Sequence, residues 1–453
     1  MVRTLSSVAA TVSGRLLGPD GSFAAVSTDT RSEVRDALFV ALRGANFDGN
    51  SFVRAAAEGG AAGALVSSPA DVALSQIAVD DTRRALGVMA ASWRQNFAIP
   101  IVAVTGSSGK TTVKGLVASI LGVSRRVCAT VGNLNNEIGV PLTLMRLDAK
   151  HEAAVIELGA NHAGEIGYLA AIVKPTVAII TNAGPAHLEG FGSVAGVAAA
   201  KGELLDHIAA GGTAILNADD AFCPDWTRRA AEHRILSFGL AERADCRIVE
   251  KPRLAPTSSL FRARLPDGVE LDVELPLPGI HNIRNALAAV AAAYALGADA
   301  AEIRVGLERA TAVEGRLVPV DGKRGSRIID DSYNANPSSV RAALDYLAGL
   351  PGRRIFVLGD MAELGRDALA LHREIGEYAR GKCDRLIGLG ELGREAAHSY
   401  GREGLAAGDL ADAVSAIESQ LDASVTVVVK GSRIMGLERL VRELQAENGA
   451  STC

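Results

Sequence analysis

Residues 104–112 of the chain read Val104-Thr105-Gly106-Ser107-Ser108-Gly109-Lys110-Thr111-Thr112. An apolar run at 101–104 leads into them and predicts a buried strand, while residues 113–121 are typical of a helix. A strand, a glycine turn and a helix start in this order cradle a phosphate, because backbone N–H groups and the positive end of the helix dipole face the anion. We therefore predict a nucleoside triphosphate site in which Lys110 reaches the terminal phosphates and the Thr111 hydroxyl binds Mg²⁺.

This loop is shorter than the usual phosphate loop. Two residues separate Gly106 from Gly109, whereas the common motif has four between its first glycine and the Gly-Lys pair. A glycine-rich turn without a ligand is the alternative, but the lysine–hydroxyl pair after a strand favours a nucleotide site. The residues assigned to nucleotide binding here are Gly106, Ser107, Ser108, Gly109, Lys110, Thr111 and Thr112.

Composition narrows the class of protein. With 453 residues, two or three domains are expected. The net charge of −5 gives no reason to expect a nucleic-acid partner. Five scattered cysteines without a C-x-x-C pair favour reduced thiols in a cytosol. The first residues lack the apolar core of a signal peptide, and the most apolar later stretch, 286–297, is too short to span a bilayer.

The pattern of apolar runs predicts three α/β domains, at 1–98, 99–312 and 313–453. In the middle range, strands alternate with helices, which is typical of a mostly parallel sheet covered by helices on both faces. Strands are predicted in that range at 101–104, 153–156, 177–181 and 213–216. The last range repeats the pattern as a second doubly wound sheet. Ligands collect at the carboxyl ends of strands in such sheets.

Polar side chains follow the predicted strands of the middle range. Glu157 ends one apolar run and is followed by Asn161 and His162, and the next run leads to His187. Glu157 and His187 are candidate ligands, direct or through water, of a hard cation beside a triphosphate. The alternatives are a carboxylate that caps a helix and a hydrogen-bonded loop histidine.

Lys201 stands alone in an apolar run. It is either a lysine whose stem lies on a helix face while its amine reaches water, or a buried lysine near a cationic site. Burial and nearby positive charge would both lower its pKa. A neutral amine can take up carbon dioxide as a carbamate, which reverses its charge and supplies an oxygen ligand for Mg²⁺. The sequence leaves both interpretations open.

Two segments are rich in amide side chains. The first, after the predicted phosphate-loop helix, favours substrate contact over an Asn-rich turn, and its polar residues are Asn133, Asn135, Asn136 and Glu137. In the second, Asn282 and Asn285 are three apart and share one face of a first helical turn. Their amides can meet the edge of adenine, whereas N-capping would explain Asn282 only.

The two ends of the chain add further candidates. Residues 28–31 combine hydroxyls, a carboxylate and a guanidinium, which suits either a sugar nucleotide or a solvated turn with an Asp–Arg pair. In the last range, three apolar runs lead into 331–337, 359–364 and 430–433, and three polar strand ends favour a site over ordinary helix caps. Lys430 and Arg433 can bind carboxylate or phosphate. Arg316 lies at the junction and can reach a phosphate or form a linker salt bridge.

Taken together, these segments resemble the bacterial Mur ligases of peptidoglycan synthesis. The short phosphate loop is similar to the loop of that superfamily, which folylpolyglutamate synthase shares. The resemblance extends from about residue 25 to residue 435. The other segments that carry it are 28–31, 133–141, 157–162, 182–203 and 331–337, with support from 359–364.

The resemblance implies a fold and residue roles. The fold is α/β, with an N-terminal domain that binds a UDP substrate, a central parallel-sheet ATPase domain and a C-terminal Rossmann-like domain. The implied catalytic residues are Lys110, Lys201, His187 and Glu157. The ligands of Mg²⁺, two ions in all, are Thr111, Glu157, His187 and Lys201 as its carbamate. Further nucleotide contacts come from Asn282 and Asn285, near adenine, and from Arg316 and Asp331. The implied substrate contacts are Thr28, Asp29, Thr30, Arg31, Asn46, Asn133, Asn135, Asn136, Glu137, Asn161, His162, Tyr333, Asn334 and Asn336.

The resemblance also implies an activity in cell-wall synthesis, and hence in cell shape and division. A cytoplasmic monomer would use ATP to join D-alanyl-D-alanine to UDP-N-acetylmuramoyl-tripeptide through an acyl phosphate. One alternative is another ligase of the superfamily, which adds diaminopimelate or lysine to the precursor, or glutamate to folate. A phosphate-loop kinase or nucleotide hydrolase is an alternative of a different class, against which the shortened loop and the polar strand ends of the last range argue.

Overall fold

The computed structural model describes residues 3–44 and 47–446. Three main sheets of five, ten and six strands follow one another along the chain, with a separate two-stranded sheet near its start. Helices cover these sheets, and most neighbouring strands are parallel, so the predicted α/β class is confirmed. The sheets lie within 1–98, 99–312 and 313–453, which we call the N-terminal, middle and C-terminal regions. The boundaries of the regions as domains stay a prediction.

The N-terminal region forms the five-stranded sheet, in the order β2-β7-β6-β5-β4, and the β1–β3 pair. Only β2 runs antiparallel to its neighbour within that larger sheet. All four residues of β5 are buried, which fits their continuous apolar run. The elements are β1 (Arg3–Thr4), α1 (Leu5–Thr11), β2 (Arg15–Leu17), β3 (Ser22–Phe23), β4 (Ala25–Ser27), β5 (Ala37–Val40), α2 (Val53–Glu58), β6 (Gly63–Val66), β7 (Gln76–Ala78) and α3 (Thr82–Arg94).

The middle region contains the ten-stranded sheet, and all four strands predicted there are confirmed. Its elements are β8 (Ile101–Thr105), α4 (Lys110–Leu121), β9 (Val127–Ala129), α5 (Gly139–Met145), β10 (Ala153–Glu157), α6 (Glu165–Val173), β11 (Val177–Ile180), α7 (Leu188–Phe191), α8 (Val194–Gly202), β12 (Thr213–Asn217), α9 (Cys223–Arg229), β13 (Arg234–Gly239), β14 (Cys246–Ile248), β15 (Arg253–Leu254), β16 (Ser259–Arg264), β17 (Glu270–Leu275), α10 (Ile280–Ala295) and α11 (Ala300–Glu308). Seven strands are parallel, in the order β9-β10-β8-β11-β12-β13-β14. Because β8 lies among them with all five residues buried, the phosphate loop starts from the interior of the sheet.

The antiparallel strands β15–β17, at the far edge of this sheet, were not predicted. In β16 and β17, buried and more exposed residues alternate along the whole of each strand. Phe261 and Ala263 face the core, while Asp272 and Glu274 face solvent. This two-residue period is the signal that identifies a half-buried strand in a sequence.

The C-terminal region forms the six-stranded sheet, in the order β18-β19-β23-β20-β21-β22, with only β18 antiparallel to its neighbour. Its elements are β18 (Val318–Asp321), β19 (Arg327–Asp331), α12 (Pro337–Ala348), β20 (Arg353–Leu358), α13 (Ala368–Ala379), β21 (Arg385–Gly388), α14 (Gly390–Tyr400), β22 (Gly404–Ala406), α15 (Leu410–Glu418), β23 (Val425–Lys430) and α16 (Glu438–Leu444). The three apolar runs that lead into 331–337, 359–364 and 430–433 form β19, β20 and β23, as predicted. They are neighbours in the sheet, so their polar ends lie side by side.

The cores show how the regions are joined. One apolar cluster runs from the N-terminal sheet through α3 to α5 and α6, so the first two regions share a continuous core. The C-terminal sheet has its own two clusters, one on each face. No helix among residues 3–44 and 47–446 is long and apolar enough to cross a bilayer.

Candidate active site

A cleft of about 1230 Å³ lies where the middle and C-terminal regions meet. Its walls include residues that directly follow β8, β10 and β11 on one side and β19, β20 and β23 on the other. The strand-end geometry expected from the sequence therefore brings the polar segments of both regions together.

The phosphate loop lies on the middle-region wall of this cleft. Gly106 and Gly109 have φ angles of 148° and 83°, which side chains rarely tolerate. A Cβ atom at Gly106 would collide with Thr181 Oγ1, and one at Gly109 would collide with Asn285 Oδ1. The turn thus needs glycine at both positions, and α4 begins at once with Lys110.

A neighbouring segment fixes the shape of this loop. The N–H groups of Ser107 and Ser108 donate to the main-chain and side-chain oxygens of Asn182, both at 3.0 Å. Thr181 Oγ1 donates to Ser108 O at 2.6 Å. Lys110 Nζ folds back and donates to Gly106 O at 2.8 Å, so its amine lies over the loop. These contacts within the protein fix the shape of the loop.

The variant Gly106→Ala is expected to weaken ATP binding by about five- to 150-fold, because a side chain in this backbone conformation costs about 1–3 kcal/mol. Gly349→Ala is the matched control, since its φ is −81° and its added Cβ would meet only Tyr346 O, at 3.5 Å. Calorimetric titration with ATP measures both dissociation constants. Equal affinities for the two variants would contradict a role for the Gly106 backbone in the site.

Glu157 lies beside the start of α4, at the end of β10. Its side chain is buried, and its Oε1 accepts from Asn135 Nδ2 at 2.9 Å and from Thr111 Oγ1 at 3.2 Å. Oε2 is also buried and has no hydrogen-bond partner. A buried carboxylate oxygen without a partner is costly, and a cation next to the phosphate loop would satisfy it.

The donors around Glu157 suit Mg²⁺ better than a metal held by protein ligands alone. In the part of the chain that the structure describes, no group of three or more His, Cys, Asp or Glu side chains forms a metal cage. Mg²⁺ commonly takes one or two carboxylates, with phosphate oxygens and waters completing its shell. Glu157, the Thr111 hydroxyl and a nucleotide fit that description.

Lys201 is almost wholly buried near the end of α8. Its side chain is 1% exposed, and Nζ has no hydrogen-bond partner. The nearest ring is that of Phe191, whose centroid lies 5.2 Å from Nζ. Burial, with a further contribution from the charge of Lys110, lowers the pKa of Lys201 to about 7. The amine does not reach water, which excludes the surface interpretation.

His187 is held between the two walls. It precedes α7 with a φ of 52°, and its Nδ1 contacts Glu363 Oε2 of the C-terminal region. Burial lowers the pKa of His187, and the charges of Lys110 and Lys201 lower it further, against the opposing effect of Glu363. The lowered pKa favours the neutral imidazole, which is the form that binds a metal.

The amide-rich segment 133–137 lines the cleft, as do Asn161 and His162. Asn135 holds Glu157, as described above. Asn136 has a local task as well, since its Oδ1 accepts from the N–H groups of Ile138 and Gly139 at the start of α5. Glu137 pairs with Arg83 of the N-terminal region at 3.2 Å.

Asn282 and Asn285 lie together but do not cap α10, whose preceding residue is Gly279. Asn282 Nδ2 donates to Pro278 O at 2.8 Å, and Asn285 Nδ2 donates to Asn282 Oδ1 at 3.2 Å. A smaller cavity of about 250 Å³ is lined by Asn282, Thr112 and Arg316, whereas Asn285 lines the main cleft. The N-cap alternative for Asn282 is therefore wrong.

The C-terminal wall is built around a buried ion pair. Lys430 Nζ lies 2.7 Å from Asp331 Oδ2 and donates to Asn334 O at 2.9 Å. The ring of Tyr333 lies 4.4 Å from the guanidinium carbon of Arg316 and 5.7 Å from that of Arg433. These contacts fix the strand ends as one surface facing the nucleotide loop.

Asn336 connects the two walls directly. Its Oδ1 accepts from Ser339 N at the start of α12, which makes it the N-cap of that helix. Its Nδ2 donates to Ser108 Oγ, 3.1 Å away in the phosphate loop. The C-terminal region therefore touches the phosphate loop itself.

The predicted substrate contacts at residues 28–31 lie outside this cleft. The Arg31 side chain is 89% exposed while pairing with Asp29 at 2.7 Å. Asn46 lies outside the described residues. Their substrate roles stay predictions.

The cleft also contains residues to which sequence reasoning assigned no role. They are Asn217, Asp219, Asp220, His281, Arg284 and Glu363. Asp219 pairs with Arg284 at 3.2 Å, and burial together with nearby Lys430 lowers the pKa of His281 to about 4. The aspartates follow the apolar run of β12, so the strand-end signal that identified Glu157 applied to them as well.

Comparisons with known proteins agree with this geometry. Residues 104–293 match the family model described as Mur ligase middle domain, and 315–433 match the one described as Mur ligase, glutamate ligase domain. The chain is 42% identical over 459 residues to the UDP-N-acetylmuramoyl-tripeptide–D-alanyl-D-alanine ligase of Escherichia coli (strain K12), covering 99% of both chains. It is 33% identical over 457 residues to the ligase of the same name from Bacillus subtilis (strain 168), covering 98% of both.

Solved structures give the same result. MurF from Acinetobacter baumannii superposes with a TM-score of 0.92 at 37% identity, covering 98% of this chain and 99% of that one. The MurF ligase of Thermotoga maritima, crystallised in complex with ADP, superposes with a TM-score of 0.82 at 27% identity, covering 92% and 96%.

Proposed function

Because this chain belongs to the Mur ligase family, we propose that it joins D-alanyl-D-alanine to UDP-N-acetylmuramoyl-tripeptide at the expense of ATP. The products are UDP-N-acetylmuramoyl-pentapeptide, ADP and phosphate. The observation that carries the proposal is the position of the phosphate loop, which shares one cleft with the strand ends of a second sheet. A cleft of this kind can hold a nucleotide, an acid and an amine together.

The chemistry requires an activated acid. A carboxylate is a poor acyl donor, because its leaving group would be oxide. Transfer of the ATP γ-phosphoryl group to the tripeptide carboxylate gives an acyl phosphate and ADP. The dipeptide amine then attacks the carbonyl carbon, a C–N bond forms, the C–O bond to phosphate breaks, and phosphate leaves. No side chain needs to become a covalent nucleophile.

The protein's part is to position charge and exclude water. We assign the amine of Lys110 to the transferring phosphoryl group, since it already lies over the loop. Asn135 and Thr111 donate hydrogen bonds to Glu157 and hold its carboxylate beside the phosphate loop. The Asn336–Ser108 contact ties the C-terminal region to the loop, and such closure keeps water from the acyl phosphate.

We assign Mg²⁺ to Thr111, Glu157, His187 and Lys201. Bound Mg²⁺ would neutralise charge that develops on the phosphoryl oxygens. The orphaned Oε2 of Glu157 supports the assignment. Two ions fit the number of donors, with ATP oxygens and waters as the remaining ligands.

Lys201 joins this set as a carbamate. Its neutral amine adds to carbon dioxide, an N–C bond forms, and one proton leaves to solvent, so that the side chain becomes an anion. Its burial, its lack of a hydrogen-bond partner and its lowered pKa support the modification.

We assign the adenine to the smaller cavity, beside Asn282 and Asn285. Arg316 lines both cavities and can therefore reach a phosphate while closing over the base. Asp331, Tyr333, Asn334 and Asn336 would cover the nucleotide and the dipeptide from the C-terminal side. The amides of 133–137, with Asn161 and His162, would face the tripeptide end of the UDP substrate.

The remaining assignments rest on composition and family membership. We propose three domains at 1–98, 99–312 and 313–453, a monomer, and a location in the bacterial cytoplasm. The four cysteines in the described residues are free thiols, which supports a reducing compartment.

Release of ADP tests the function when each component is omitted in turn. With ATP, Mg²⁺, UDP-N-acetylmuramoyl-tripeptide and D-alanyl-D-alanine present, ADP and the pentapeptide product are expected to form in equal amounts. Omission of either peptide substrate should stop steady ADP release. Steady ADP release without the dipeptide would indicate a kinase or hydrolase, and turnover only with another amine would indicate a different ligase.

A further inference from the structure

The acids that line the cleft differ in what surrounds them. Five are held by a basic side chain or by backbone N–H groups, and these are Glu137, Glu165, Asp219, Asp220 and Asp331. Glu157 is the proposed cation ligand. The remaining acid of the cleft is Glu363. Within the described residues, the only close partner of its carboxylate is the imidazole of His187.

Glu363 is placed to meet a ligand from the open side of the cleft. Its side chain is 49% exposed, although it lines the cavity and touches His187 of the opposite wall. Its φ of 63° is in the left-handed region, which non-glycine residues rarely adopt. Its backbone oxygen accepts from Glu189 N at 3.3 Å, so a contact from the middle region helps to hold this unusual conformation. Strained residues of this kind cluster at functional sites.

A second loop lies against the one that carries Glu363. The two loops follow β20 and β23, which pair in parallel with Leu358 opposite Lys430. Ser432 joins them, because its Oγ accepts from Ala362 N at 2.7 Å and its N–H donates to Asp360 O at 3.0 Å. The two loops therefore form one surface of the cleft.

This second loop carries the opposite charge and an apolar side chain. The side chain of Arg433 is 64% exposed, although its Nη1 lies 3.5 Å from Glu438 Oε2. Ile434 is 86% exposed, well above the other large hydrophobic residues that the structure exposes. Both line the cleft. Covering the side chain of so exposed an isoleucine with a bound molecule is favourable, because apolar surface is removed from water.

We propose that these two loops bind the zwitterionic acceptor peptide, with Glu363 holding its ammonium group, Arg433 its carboxylate and Ile434 its methyl groups. The inference rests on the proposed function and assigns residues to one of its substrates. A short D-alanyl peptide carries all three features. Through its contact with His187, Glu363 also places the amine beside the residues assigned to the phosphoryl group.

Glu363→Gln tests the ammonium contact, because it keeps the size of the side chain and removes its charge. The KM for D-alanyl-D-alanine is expected to rise by about ten- to a hundredfold, as for the loss of a charged hydrogen bond. The KM values for ATP and for the tripeptide nucleotide should stay within about twofold of the wild type. Glu189→Gln is the matched control, an exposed acid beside the same contact that does not line the cleft, and it should behave as the wild type.

A competitor without the amine supplies a second measurement. Propionyl-D-alanine resembles the dipeptide but has no ammonium group, so its inhibition constant should be the same for the wild type and for Glu363→Gln. A drop in kcat with an unchanged KM for the dipeptide would overturn the proposal, because Glu363 would then act through His187. An equal rise in all three KM values would overturn it too. If the wild type itself makes no product from D-alanyl-D-alanine, the proposed function fails together with this inference.

Discussion

Lys110→Ala is expected to lower kcat for ligation by at least about a thousandfold, the usual cost of removing a positioned donor from a developing anion. The amine of Lys110 lies over the phosphate loop, 2.8 Å from Gly106 O. Alanine is well tolerated at the first position of a helix, so α4 should still form.

The measurement is steady-state ADP release together with a circular dichroism spectrum and a thermal melt. Lys251→Ala is the control, since Lys251 is exposed in a loop of the same region and lies outside the cleft. The control should keep the wild-type rate. Full ligation activity in a folded Lys110→Ala protein would contradict the nucleotide site.

Lys201→Met is expected to abolish activity and to stabilise the protein. Activity should fall by at least about a hundredfold, because the variant cannot form the proposed carbamate ligand. Stability should rise, because an unpartnered amine with 1% exposure is replaced by an apolar chain of similar length. A pKa lowered from 10.5 to about 7 corresponds to a cost of about 5 kcal/mol for the charged amine in the folded state.

The pH dependence of this gain has a defined sign. Below about pH 7 the amine is charged in both states, and the folded state carries the full cost. As the pH rises from about 7 towards 10.5, the folded amine is neutral while the unfolded one still binds a proton, so wild-type stability increases. The difference between the variant and the wild type should therefore shrink over that interval.

Urea unfolding in buffer depleted of carbon dioxide measures the effect, with pH as the variable. Added bicarbonate should stabilise the wild type and leave Lys201→Met unchanged, because only the wild type can bind carbon dioxide there. A destabilised variant that keeps wild-type ligation would rule out both the buried charge and the carbamate.

Much of the site was predictable because strand ends carry a local signal. Glu157 and Asp331 each end an apolar run, and parallel strands bring such ends to one edge. The same rule could have identified Asp219 and Asp220 after β12, but no role was assigned to them. The contacts between regions were not predictable, because nothing in the sequence near Glu363 indicates that His187 is its neighbour.

Burial was the other property that the sequence left open. Lys201 was consistent with a helix surface or with a buried amine, and only the packing of α8 against its neighbours decides between them. Asn282 was consistent with a helix cap until Gly279 was found to precede the helix. The edge strands β16 and β17 were missed even though their two-residue period was present in the sequence.

The central claim is that the phosphate loop activates a neighbouring acid as its acyl phosphate, which an amine then captures. UDP-N-acetylmuramoyl-tripeptide with both oxygens of the reacting carboxylate labelled with ¹⁸O tests this claim most directly, with the released phosphate analysed by mass spectrometry. We predict that each phosphate carries one ¹⁸O atom and that the new amide keeps the other. Phosphate without the label, released while the peptide bond forms, would contradict the account.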